Sequence, residues 1–248
     1  VGVGGAMLGG GCTVVACEPA RRRSSFTIAA EYFPEEQRLE AVLTAEIVHT
    51  SDTAWETLKF QLWPNAYRED AAYAPVSSLY APAAYYNGAN WGNIEVSSVE
   101  GAAAFRVAGA DENILEAELG EALYPDEHVT LTMNFSVSLA EVNHRLGVGE
   151  HAVNLANFYP VLCVWDNGFC EYVYSSNGDP FVSECADYDV SLTVPDTYTV
   201  AHTGTCERTL SNGKAVHHVR AEHVRDVAFV LSEDVRPAET SAGDMPLT

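Results

Sequence analysis

Eight histidines, six cysteines and 35 acidic side chains are the groups in this 248-residue chain that could hold a metal or activate a nucleophile. Their spacing argues against most such chemistry. A metal held by a helix needs two histidines one turn apart with a glutamate beside the first, and no HExxH pattern occurs. The tightest histidine group is His217, His218 and His223, in a run that alternates as a strand. There His217 and His223 point the same way but lie roughly 20 Å apart at strand rise, too far to share one ion. All three read as surface histidines. Cys163, Cys170, Cys185 and Cys206 form no CxxC pair, so ribbon or finger zinc sites are excluded. Disulfides of an exported protein and buried thiols on strands both remain open readings for them. GxSxG, GxxxxGK[ST] and GxGxxG are absent, which leaves nucleophilic hydrolysis, nucleotide hydrolysis and dinucleotide binding without their usual signatures. Carboxylates are numerous enough for a paired-acid glycosidase, but no pair stands out.

One cysteine has a context of its own. Residues 1–16 carry no charge and are nearly all small or apolar, a stretch too short to span a bilayer but suited to an export signal. Val14-Val15-Ala16-Cys17 then resembles a bacterial lipoprotein cleavage box, with Cys17 as the lipid-attachment residue. Residues 18–25, with Arg21, Arg22 and Arg23, suit a solvated tether whose cations lie against acidic head groups. The expectation is an extracytoplasmic protein that meets the membrane through a lipid anchor, with residues 1–25 as signal and tether. The alternative is a Gly/Ala-rich beginning with no export role.

Thirteen basic against 35 acidic residues give a formal net charge of −22, which repels phosphate backbones, so no nucleic-acid partner is expected. The elements that must position any site are strands. Residues 128–139 place Val129, Leu131, Met133, Phe135, Val137 and Leu139 on one face, a period that a helix cannot keep on one side. Runs at 39–49, 58–63, 158–164, 188–194, 198–202, 215–221 and 227–231 add further strands, with Ser211-Asn212-Gly213-Lys214 as a turn between two of them. Residues 68–93 have no sustained period and read as a long loop with one helical turn. Tyr80, Tyr85, Tyr86 and Trp91 sit in it, either pinning it to a sheet or facing a ligand.

Several of these runs share an order with one known family. The segments NFYPVLCVWD (157–166), GDPFVSECADYDVSLTVP (178–195), YTVAHTG (198–204) and VRDVAFVLS (224–232) resemble the aminopeptidase N family of zinc peptidases, and WETLKFQLWPNAY (55–67) resembles its bacterial members. The resemblance covers about residues 26–232. It implies an all-β, saddle-shaped antiparallel domain at 26–236 that precedes a thermolysin-like catalytic domain, with 237–248 as a linker or truncated end. Val1 in place of Met and the polar end at Thr248 fit such a cut chain.

On this reading the chain has no cofactor of its own, and zinc belongs to the missing catalytic domain. Without HExxH, this chain alone is expected to be inactive. Its implied role is to position peptide substrate beside the downstream catalytic domain of the same polypeptide. In the family a Gln or Glu ahead of the aromatic-Pro strand reaches the free amine of the peptide, and Glu150 is the acidic residue in the matching stretch 149–154. The alternative is a stand-alone surface binding or scaffolding module that contacts its ligand through the loop around Trp91.

Overall fold

The computed structural model describes residues 23–236, together with the backbone of two short strands, Thr240–Ala242 and Met245–Leu247, that pair as a hairpin. Cys17, the signal and most of the tether lie outside the described residues.

The first two strands, β1 (Ser25–Phe33) and β2 (Arg38–Val48), form a hairpin in which alternate residues are buried along both strands. A 3₁₀ turn at Pro34–Glu36 joins them, and Gln37 closes it in the left-handed region at φ 49°. The chain continues through β3 (Trp55–Gln61), β4 (Asn93–Glu100), β5 (Ala104–Ala108), β6 (Ile114–Leu123) and β7 (His128–Ser138). Short strands β8 (Leu146–Val148), β9 (Val153–Ala156) and β10 (Val161–Leu162) follow. Then come β11 (Ala186–Pro195), β12 (Thr199–His202), β13 (Thr205–Ser211), β14 (Lys214–Val224) and β15 (Ala228–Ser232).

Seven strands form the large sheet, in the order β13-β14-β11-β1-β2-β7-β4. Its register lines up apolar side chains from strand to strand. Ile28 lies opposite Leu43, which lies opposite Met133; on its other side Ile28 faces Val190, which faces Val219. All five are fully buried, and burying each contributes about 1.5–3 kcal/mol. Two four-stranded sheets, β10-β3-β6-β5 and β12-β15-β9-β8, complete the fold, and buried residues from all three sheets join one apolar core.

The expected all-β class and antiparallel layout hold, and among the described strands β1 and β11 pair in parallel. The chain returns to the open edge of β1 from the end where β1 begins: the Asp187 N–H donates to the Ser24 carbonyl at 3.2 Å. Residues 158–164 do not form the expected strand. Asn157 adopts φ 51° and Pro160 lacks an N–H, so regular pairing is confined to Val161–Leu162. The turn at 211–214 forms as expected, with Asn212 and Gly213 both at positive φ.

His217 is not a surface residue. It lies on the core face of β14, 5 % exposed, opposite Leu192. His218 faces outward and meets the Ser191 hydroxyl at 3.0 Å. The alternation does not carry through to His223, because β14 holds one residue more than β11 between the pairs Tyr188–Ala221 and Ala186–Val224. His223 sits in that bulge at φ 60°, exposed, and its N–H donates to the Asp187 carboxylate.

Candidate functional site

Glu150 occupies the turn between β8 and β9, closed by the Gly149 N–H donating to the Ala152 carbonyl at 2.8 Å. One side chain holds it. The Asn143 amide donates to Glu150 Oε2 at 3.0 Å, while Asn143 Oδ1 accepts from the Glu150 N–H at the same distance. Glu150 is exposed, so its carboxylate is oriented without being desolvated.

The structure adds a second carboxylate. Glu141 bridges to Val148 just ahead of β8 and is half-buried. Gln37 donates to its Oε1 at 2.8 Å, Asn87 donates to Oε2 at 3.3 Å, and Asn90 Oδ1 accepts from its backbone N–H at 2.8 Å. Three neutral amides thus fix Glu141 and none neutralises it. Tyr86 lies against both acids. Its hydroxyl donates to the Val148 carbonyl at 3.2 Å, and its pKa is raised by burial and by the charges of Glu141 and Glu150. An edge with two oriented carboxylates, neither paired with a cation among the described residues, suits an ammonium group.

Glu141 escapes a reading of the sequence because its partner Gln37 is 104 residues away. No local spacing announces such a contact. The nearest hint is the concentration of Asn87, Asn90 and Asn143 in otherwise irregular segments.

The aromatic loop forms the border of this edge and contains the expected helical turn, α1 (Ala81–Ala84). Its aromatic residues divide between the two readings. Tyr85 packs against the core and lies 6.3 Å from Trp91, and the Asn143 N–H donates to the Ala84 carbonyl at 2.9 Å. Leu79, Tyr80 and Trp91 instead remain exposed, at 78 %, 67 % and 44 %. Gly92 allows the loop to close: a Cβ there would lie 2.4 Å from the Ser138 carbonyl oxygen, so only glycine fits without moving backbone. Behind the edge, the Tyr67 hydroxyl meets His144 Nδ1 at 2.7 Å, and burial lowers the His144 pKa, aided by the neighbouring Arg145 charge.

No group of three or more His, Cys, Asp or Glu side chains is placed to hold a metal ion among the described residues. Among the described residues, no helix is long and apolar enough to cross a membrane.

No family model and no curated protein matches the sequence. Solved structures do match the fold. A crystal structure of a two-domain M1 zinc metallopeptidase mutant bound to L-tryptophan is 14 % identical, with a TM-score of 0.50 over 92 % of this chain and 47 % of that one. An M1 zinc metallopeptidase from Deinococcus radiodurans is also 14 % identical, with a TM-score of 0.46 over 85 % of this chain and 41 % of that one. The chain spans about half the length of these structures. It has the fold of the part of a two-domain M1 zinc metallopeptidase that it covers.

Proposed function

We propose that this chain is the amino-terminal, non-catalytic domain of a zinc aminopeptidase, and that it positions peptide substrate beside a catalytic domain later in the same polypeptide. The observation that carries the reading is the coverage of the fold match: 92 % of this chain lies on 47 % of a two-domain zinc metallopeptidase. The order of the sequence segments from 55 to 232 supports the same family. In this role Glu150, aided by Glu141, receives the free ammonium of the peptide through charge-assisted hydrogen bonds. Asn143 and Gln37 keep the two carboxylates oriented before substrate arrives. Zinc and the general base belong to the catalytic domain. We extend the proposal to location: lipid on Cys17 would hold the enzyme to the outer side of a cell membrane.

The test is to read the native gene past the codon for Thr248 and express the whole polypeptide. The expected result is a downstream HExxH motif and hydrolysis of aminoacyl-p-nitroanilides that stops on addition of 1,10-phenanthroline. Glu150→Gln should then raise KM for substrates with a free amine while leaving the fold intact by circular dichroism. A reading frame that stops at Thr248 would overturn the proposal. It would favour instead a stand-alone binding module, for which the exposed Tyr80 and Trp91 are the specific support. For the anchor, Cys17→Ser should abolish incorporation of labelled palmitate; unchanged labelling would refute it.

A further inference from the structure

Away from the acidic edge, a cavity of about 760 Å³ opens between the large sheet and the sheet containing β3 and β10. That size falls within the range of small-molecule sites. Its wall is aromatic: Phe26, Trp55, Tyr159, Trp165 and Tyr188 all line it. Phe26 stacks on Tyr188 with ring centroids 5.2 Å apart, and Trp55 lies 5.3 Å from Trp165. Such a lining favours a flat apolar body.

The polar groups of the cavity are mostly donors. Trp55 is 3 % exposed and its indole N–H has no acceptor among the described residues. Arg23 and Arg225 stand at the mouth with His223. Arg23 pairs with Asp187 at 3.5 Å. Arg225 donates from Nη1 to the Ser183 carbonyl at 3.0 Å and has no carboxylate partner among the described residues. Burial raises the pKa of the Cys163 thiol far above its ordinary value, so that group is neutral. The Tyr188 hydroxyl is pushed up to about 12 by burial and is neutral too. The carboxylate lining this mouth is Glu184, exposed on its rim. Asp187 compensates Arg23, so Arg225 is the guanidinium at this aromatic cavity left to meet an anion.

We propose that this cavity binds a small aromatic carboxylate, its ring between the Trp165 and Tyr188 sides and its carboxylate on Arg225. The Trp55 N–H and Arg23 give further donors for the acid. This site is separate from the acidic edge and does not depend on the peptidase reading.

The test uses the full chain and two probes of nearly equal shape, 2-naphthoate and 2-naphthamide, titrated by calorimetry at pH 7.5. The acid should bind saturably and roughly tenfold or more tightly than the amide, the margin expected of a hydrogen bond to a charged group. Arg225→Gln should abolish that preference, and Trp165→Ala should weaken both probes together. Leu210→Ala, exposed and outside the cavity, should change neither. Failure of 2-naphthoate to saturate at millimolar concentration, equal binding of the two probes, or a preference that survives Arg225→Gln would each overturn the proposal. Because Arg225 is exposed, its variant decides the matter even if Trp165→Ala does not fold.

Discussion

A histidine on the core face of a sheet is tolerated as the neutral imidazole, because burial penalises the cation. His217 meets that penalty. Its pKa is lowered to about 4, first by burial and then by the charges of Arg208 and His202. Among the described residues its Nδ1 has only the Cys206 sulfur at 3.8 Å, and its Nε2 has no partner. The unfolded chain takes up the proton near pH 6.5 and the folded chain does not, so stability falls as pH drops from about 6.5 toward 4. At about 1.4 kcal/mol per pH decade, this single residue can remove up to about 3 kcal/mol. His217→Leu, which fills similar space without a titrating group, should lose that much less stability between pH 7 and pH 4 when urea midpoints are compared. Parallel pH profiles for variant and parent would show that the acid sensitivity arises elsewhere.

At the scale of elements, one row of charges ties three strands. Glu116 on β6 lies opposite Lys59 on β3 and opposite Arg106 on β5, with Lys59 Nζ at 2.9 Å and the Arg106 guanidinium also in contact. Glu116 is nearly buried, whereas Glu171, the other partner of Lys59, is exposed. Glu116→Ala should therefore cost about 2 kcal/mol by removing the charged acceptor that Lys59 and Arg106 share. Glu171→Ala should cost less than about 1 kcal/mol. Equal urea midpoints for the two variants would refute this ranking. The same strand shows where sequence is a poor guide. Ile114–Leu123 is rich in Ala, Glu and Leu, which favour helix, and only pairing on both sides makes it a strand. By contrast, the 128–139 stripe could be read directly, because β7 buries one face and leaves the other polar. The side of His217 is not legible in the sequence, because alternation gives two faces without saying which one is covered. Glu150 is a candidate that rests on the resemblance of one segment, while the setting of Glu141 depends on a contact with Gln37, 104 residues away, that no local pattern encodes.

For the whole molecule, charge is the term that spans every element. After each basic residue is matched with an acid, 22 carboxylates remain in excess. The register concentrates some of them on the outward face of the large sheet. Glu31 lies opposite Glu40, and Glu40 lies opposite Ser136, whose other neighbour is Glu95. These acids line a groove of about 550 Å³. Lys214 pairs with Glu31 and Arg38 with Glu40, so two of the three acids have local compensation. Two salt effects therefore compete. Screening weakens these exposed pairs, each worth less than about 1 kcal/mol, and it also weakens the repulsion among all the unmatched acids. The repulsion involves more charges and acts over longer distances, so it should dominate. Raising NaCl from about 0.02 to about 0.3 M shortens the Debye length from roughly 20 Å to roughly 6 Å and should raise Tm. Glu95→Gln, which removes an acid of this row without breaking either pair, should raise Tm at low salt and reduce the salt response. A Tm that falls with added NaCl would mean that the paired charges outweigh the unmatched ones in holding this fold together.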